Sequence, residues 1–425
     1  MKNLKISAMA MLMCLGAANA HAAGYQLNEF STTGLGRSFA GLGVVGDDFS
    51  AMAYNPAGMT LVKRSGFQLG VAATEIASTA KTKEGDDEMD FFVPLPSMLG
   101  QYNVNDKLFL GAGVYVPYGL ATRYKSDSHV AAAEAGVRRS ELEVIDTNLS
   151  AAYKASNKLS LGASFILRRI KGKLTSNINK DIPGMGMTTL GTSDFRVKGW
   201  STSWHLGAMY EFDENTRLGL SYRFKSTQSP KGKHYIDYTN PITADLGAWG
   251  ITPGLHKYHS MSDPELPASW ILSGYHKFAE KWGTSFTVKY VQWHRFYEFP
   301  ANSTNPLSPD NGVEYRWKDA WTFALGQDYY LNDNWTLRVG TAYDQSPSRD
   351  NAYRTNRIPD TNRVWLSAGA SYITGNHQFD FGYAHLFMEH GRTRNSNPNS
   401  DQYKDAQAKY YSHSNMIALQ YQYKF

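Results

Sequence analysis

The chain has 425 residues, a formal net charge of +5, and 13% aromatic residues including 27 Tyr, alongside 37 Gly. So small a charge, carried by scattered basic residues, gives no footprint for nucleic acid. Beyond residue 22 no apolar run approaches the roughly 20 residues a spanning helix needs; this excludes a helical membrane protein and leaves a closed β-barrel as the membrane solution.

The N-terminus carries Lys2 and Lys5, an apolar stretch from Ile6 to Ala18, and then Ala20-His21-Ala22. This is the pattern of a secretory signal peptide cut after Ala22. The only cysteine, Cys14, falls inside that segment, and Met11-Leu12-Met13 lacks the small residue that a lipoprotein signal places before its cysteine. The mature chain is therefore expected to have no lipid anchor, disulfide, thiolate metal site or cysteine nucleophile.

Residues 23–63 are rich in Gly, Ala and Ser and lack period-two alternation. Leu27, Phe30, Leu35, Phe39 and Met59 give them apolar surface, so a plug inside a lumen is expected rather than a periplasmic tail. A barrel of about 14 strands leaves room for one.

From Ser65 onward, apolar and polar residues alternate with period two in segments centred near 66–78, 91–103, 107–118, 140–153, 158–171, 197–212, 216–227, 267–278, 282–297, 314–330, 334–345, 362–372, 376–388 and 409–425. These predict an all-β, 14-stranded antiparallel transmembrane barrel over 64–425. Every second connection is a tight polar turn, as in Asn103-Val104-Asn105-Asp106 and Ile373-Thr374-Gly375-Asn376, and those between are long, the longest near 227–266. Such sorting matches short periplasmic turns and long outer loops; a soluble sandwich or propeller has no reason for it.

In the last segment Ile417, Leu419, Tyr421, Tyr423 and Phe425 share one face, and Ser414, Gln420, Gln422 and Lys424 the other. One side suits lipid and the other a wet lumen. The terminal Phe after alternating aromatics is similar to the signal read by the outer-membrane assembly machinery, an expected partner.

Proline removes a ladder hydrogen bond, and a closed barrel has no edge to hide it. Pro94, Pro96 and Pro117 on neighbouring strands therefore predict local breaks in the wall. In the tenth segment, parity puts Tyr315, Trp317, Trp321, Phe323 and Leu325 toward lipid, hence Arg316 and Lys318 toward the lumen. In the fifth, Leu161, Ala163, Phe165, Leu167 and Arg169 share the outward face, so Arg168 points inward.

Other chemistry fails on geometry. Gly34-Leu35-Gly36 lacks the third glycine and the lysine of a phosphate loop. His413 and Ser414 are adjacent on a strand and point to opposite faces, so they form no catalytic pair. The 12 His have no metal-ligand spacing. No enzyme, metal or cofactor is expected.

Gly24-Tyr25-Gln26-Leu27-Asn28-Glu29-Phe30, Gly34-Leu35-Gly36-Arg37 and Asn55-Pro56-Ala57 resemble the N-terminal hatch of the FadL family of outer-membrane long-chain fatty acid transporters. Further resemblance lies in Tyr118-Gly119-Leu120-Ala121-Thr122, Trp317-Lys318-Asp319-Ala320 and Ile358-Pro359-Asp360. It covers the whole mature chain. The family implies a monomeric barrel with a luminal hatch, capture of a hydrophobic ligand by outer loops, and lateral exit into the bilayer through a kinked third strand, here Pro117-Tyr118-Gly119. Lys318 then occupies the position of a pocket lysine and is the first candidate for the ligand carboxylate. Arg316 is a second, and Arg169, favoured by alignment, competes with Arg168, favoured by parity. Phe30 and Asn55-Pro56-Ala57 are candidate gate residues. The outer loop at 172–198 looks shorter than in the best-known members, which bears on the capture groove. The expected surroundings are outer-membrane lipid and lipopolysaccharide. Competing readings are uptake of other hydrophobes, such as aromatic hydrocarbons, and an outer-membrane hydrolase.

Overall fold

A computed structural model describes residues 24–238, 251–307, 312–349, 351, 353–393 and 405–425. The expected signal peptide and Cys14 lie outside the described residues. Numbering only the strands of the wall, these are β1 Gly66–Lys81, β2 Asp86–Asn103, β3 Leu108–Arg123, β4 Val137–Lys154, β5 Leu159–Ile182, β6 Gly186–Glu211, β7 Thr216–Arg223, β8 Ser269–Ala279, β9 Trp282–Val291, β10 Ala320–Tyr330, β11 Trp335–Asp344, β12 Arg363–Thr374, β13 His377–Met388 and β14 Ala408–Lys424. Each pairs antiparallel with its sequence neighbours, and β14 closes on β1 from Gly66↔Lys424 to Lys81↔Lys409. The 14-stranded barrel expected from the alternation is the fold.

Alternation sets which way each side chain points, and burial follows it. Trp321, Phe323, Leu325, Ile417 and Leu419 are exposed on the outer wall, whereas Gln420 and Gln422 are buried inside. The tight turns and both barrel ends share one rim, where the Phe425 amide donates to the Ser65 carbonyl at 2.9 Å.

Three regions differ from expectation. Residues 172–198, expected as a loop, continue β5 and β6 as one hairpin whose register runs to Ile182↔Gly186. Strands of about 24 residues exceed the ~9–11 that cross a bilayer, so the hairpin stands above the membrane. A second outer hairpin, Lys231–Tyr238 with Gly254–Met261, adds to its edge and occupies part of the long 227–266 connection. β9 ends at Val291 instead of 297, and β10 begins at Ala320 instead of 314. Between them, Trp293, Phe296, Tyr315 and Trp317 turn inward and are buried.

Residues 24–62 fill the lumen and are almost wholly buried. A short helix, Thr32–Gly36, is capped by the Ser31 hydroxyl, which accepts from the Gly34 amide. A second, Ala51–Tyr54, leads into a 3₁₀ turn at Pro56–Leu61, capped by the Asn55 side chain with Pro56 at the first position. Arg37 reaches Asp47 at 2.8 Å and wall residue Asp328 at 2.9 Å, and Arg338 reaches the same two carboxylates at 3.1 and 3.2 Å. Two cations and two anions thus neutralise one another, with only Asp47 partly open to water, a balance that removal of any one would undo. Burial alone would raise the Asp47 carboxyl, but the two guanidinia outweigh it and hold it below its ordinary value.

Candidate functional site

The wall is interrupted beside the lumen segment. The ladder between β2 and β3 covers only Met98↔Val114 to Asn103↔Phe109. Pro94 and Pro96 lie beyond its end, although β2 still pairs with β1 through Ala73↔Pro94 and Val71↔Pro96. On the other side, β3 slips register against β4 between Tyr115 and Tyr118, the interval that holds Pro117. An unpaired strand edge inside a membrane is costly, and here it finds a partner. Leu27 donates its amide to the Pro117 carbonyl and Gly119 donates to the Tyr25 carbonyl, both at 2.8 Å, so Gln26 forms a bridge with Tyr118.

Two apolar clusters meet at this bridge. Outside it, the Tyr25 ring sits 4.7 Å from Trp293, 5.3 Å from Phe296 and 5.7 Å from Trp317. A Cβ on Gly24 would come within 2.8 Å of the Trp293 ring, and its φ of +67° is one glycine adopts freely. Inside it, Phe30 stacks on Tyr54 at 4.4 Å and meets Tyr115 at 4.6 Å, in a core that also includes Leu27, Val93 and Leu95.

Buried cations stand between the clusters. Asp146 binds Arg168 at 2.7 Å and Arg223 at 2.9 Å, so one carboxylate serves two guanidinia. Arg168 also donates to the Ser226 hydroxyl at 2.6 Å and lies 5.1 Å over the Tyr118 ring. Arg223 reaches the Tyr115 hydroxyl at 3.0 Å and the Ala53 carbonyl at 2.9 Å. Opposite Arg223 in the register is His205, buried with neither ring nitrogen hydrogen bonded. Lys289 donates to the Asn28 side chain at 2.9 Å. Beside it, burial pushes the Glu29 carboxyl up to about 7, partly opposed by the Asn28 and Glu29 amides and by Lys289.

Arg168 is the inward residue of its pair; Arg169 points outward, 5.9 Å over the exposed Trp200 ring. Two expected orientations are corrected. Lys318 is exposed, and Arg316 is half-buried against Glu314 at 2.5 Å; the inward residues there are Tyr315 and Trp317. The reason is that residues 315–319 precede β10, so strand parity does not apply, and the lumen at that level is aromatic, so apolar no longer means lipid-facing. Phe30 lies in the inner cluster, whereas Asn55-Pro56-Ala57 rests on the wall, Asn55 donating to the Ala208 carbonyl at 3.1 Å. The close approach requires glycine opposite: a Cβ on Gly207 would lie 2.0 Å from the Asn55 Oδ1, and one on Gly162 2.4 Å from the Ala57 nitrogen. Sequence reasoning missed Arg223, Lys289 and His205. Each alternates with outward neighbours such as Leu220 and Tyr222, or Val288 and Tyr290, and parity applied to β6, β7 and β9 would have found them.

The family model described as "Outer membrane protein transport protein (OMPP1/FadL/TodX)" matches residues 13–425. A long-chain fatty acid transport protein of Salmonella typhi is 33% identical over 395 residues, covering 86% of this chain and 87% of its own. Among solved structures, a Pseudomonas aeruginosa FadL homologue superposes with a TM-score of 0.84 at 23% identity, covering 95% of this chain and 100% of its own. The toluene transporter TbuX of Ralstonia pickettii gives a TM-score of 0.67 at 20% identity, covering 94% of this chain and 99% of its own. At these identities the structural likenesses speak for the fold.

Proposed function

From the premise that the chain belongs to the OMPP1/FadL/TodX family of outer-membrane transport proteins, we propose that it carries long-chain fatty acids inward, with residues 24–63 acting as a hatch. The observation that carries this reading is the break between β2 and β3, whose free edge is held by Tyr25–Leu27. A hydrophobe enters through the aromatic cluster around Tyr25, displaces that bridge, reaches the Phe30 cluster and leaves sideways between β2 and β3. No energy source takes part; the ligand moves down its gradient into the bilayer.

A fatty acid needs a cation for its carboxylate as well as an apolar trench. Arg168 and Arg223 share Asp146 and leave one positive charge over, with the unpartnered His205 alongside. This pair, rather than Lys318, is the proposed carboxylate site. The Salmonella typhi relative's name, long-chain fatty acid transport protein, agrees with that polarity.

Aromatic hydrocarbons are the second reading, favoured by the nest of Tyr25, Trp293, Phe296 and Trp317. The test is uptake of labelled long-chain fatty acid and of labelled toluene by cells lacking their own carriers, with and without this protein. Fatty acid uptake that depends on the protein supports the first reading; toluene uptake alone supports the second, and neither overturns both.

A further inference from the structure

On the outer wall, above the aromatic residues that face lipid, the strand register stacks like charges side by side. Lys171 of β5 lies opposite Lys198 of β6, which lies opposite Lys231 of the outer hairpin. Two residues further on, Lys173 lies opposite Arg196, and Arg196 opposite Lys233. Like charges directly across a ladder are destabilising, and here they occur in two adjacent rows over three strands. The six side chains line one groove of about 580 Å³ together with Glu141, Glu143 and Tyr235.

The local carboxylates do not balance them. Glu143 is taken by Lys171 at 2.8 Å, and Glu141 by Arg123 at 2.8 Å. Asp194 serves both Arg196 at 2.5 Å and Lys173 at 3.8 Å. Lys198, Lys231 and Lys233 are exposed and have no carboxylate within ion-pair distance among the described residues. The neighbouring Lys257 pushes the Lys233 ammonium below its ordinary value, as uncompensated crowding should.

Position identifies the ligand. Along β5 the outward residues Leu161, Phe165 and Leu167 give way to Arg169 and then Lys171, and Trp200 and Trp204 stand beside Arg169 and Phe165 on β6. At roughly 3.3 Å per residue and ~40° of tilt, Lys171 lies about 30 Å along the barrel axis from Leu159, just past an apolar band ~25 Å tall. The rim of tight turns lies at the Leu159 end, so the basic rows face the outer leaflet.

We propose that these rows bind the phosphates of the phosphorylated glycolipid of the outer leaflet, while the Trp200 and Trp204 wall below receives its acyl chains. The groove is continuous with the lipid-contacting surface, which selects an anchored headgroup over a free anion. Basic clusters at a membrane surface recognise anionic headgroups in this way.

The test uses the full-length barrel in detergent, with bisphosphorylated lipid A, the same lipid stripped of its phosphates, and inorganic phosphate as a competitor. Wild type is compared with Lys198→Gln/Lys231→Gln/Lys233→Gln and with Lys107→Gln/Lys158→Gln/Lys281→Gln, which removes equal charge at the opposite rim. Heat-dependent electrophoretic mobility checks that each barrel is folded. At about fivefold per lysine, the outer triple variant loses roughly a hundredfold in affinity for phosphorylated lipid A while the rim variant keeps it. Equal binding of the stripped lipid, equal loss in both variants, or displacement by millimolar inorganic phosphate would overturn the proposal.

Discussion

Arg37 of the luminal segment and Asp328 of β10, 291 positions apart in the chain, are held 2.9 Å apart with almost no access to solvent. Because Arg338 and Asp47 close the same network, this contact fastens the luminal segment to the far wall from the β2–β3 break. Arg37→Met leaves the buried Asp328 and the partly buried Asp47 sharing one guanidinium, at a cost of about 3 kcal/mol. Faster hydrogen exchange across residues 31–48, with the barrel strands unchanged, is the expected outcome; unchanged exchange would mean that the hatch is held elsewhere.

Ligand binding should follow burial rather than the Lys-Asp-Ala resemblance. Arg223→Met and Arg168→Met are expected to raise the fatty acid concentration for half-maximal uptake about tenfold, from the loss of one charge-assisted hydrogen bond. Lys318→Ala, altering an exposed side chain, should stay within about twofold. Assembled barrel is counted by heat-dependent mobility, so that a folding defect is not mistaken for a binding one.

Docking of the proposed hatch should depend on pH through Glu29. Its carboxyl is raised from an ordinary 4.5 to about 7, so the docked hatch binds more protons than the released one across that window. Docking is therefore strongest below pH 4.5, weakens as pH rises toward 7 and levels off above it, over a span on the order of 3 kcal/mol. Hatch amide exchange measured from pH 5 to 8 should accelerate after correction for intrinsic rates, and Glu29→Gln should flatten the profile.

Gly207→Ala places a Cβ 2.0 Å from the Asn55 side chain. An overpacking cost of about 1–3 kcal/mol is expected, read as a lower melting temperature of the barrel in detergent. Gly100→Ala, whose nearest neighbour would be 3.6 Å away, serves as the control and should change little.

Most of the wall was legible in the sequence because lipid and lumen impose opposite polarity on successive residues, as the exposed Leu419 and buried Gln420 illustrate. That rule fails where both sides are apolar. Tyr315 and Trp317 continue the alternation of Trp321 and Phe323, yet they face inward because the lumen there is lined with aromatic rings. Arg168 was recoverable by parity alone. Pro94, Pro96 and Pro117 marked the broken wall, but the bridge from Gln26 to Tyr118 was not legible, since backbone pairing between segments so distant leaves no periodic trace.

Locking that bridge tests most directly whether the ligand route opens there. Residues paired across an antiparallel bridge lie about 4.5–5.5 Å apart at Cα, within disulfide range, and the only cysteine, Cys14, precedes the expected cleavage site. Gln26→Cys/Tyr118→Cys should form a disulfide tying the hatch to β3, and uptake of labelled fatty acid is then measured before and after reduction. Uptake should be abolished in the oxidised barrel and return on reduction; uptake at the same rate in both would contradict a route that opens by releasing Tyr25–Leu27 from β3.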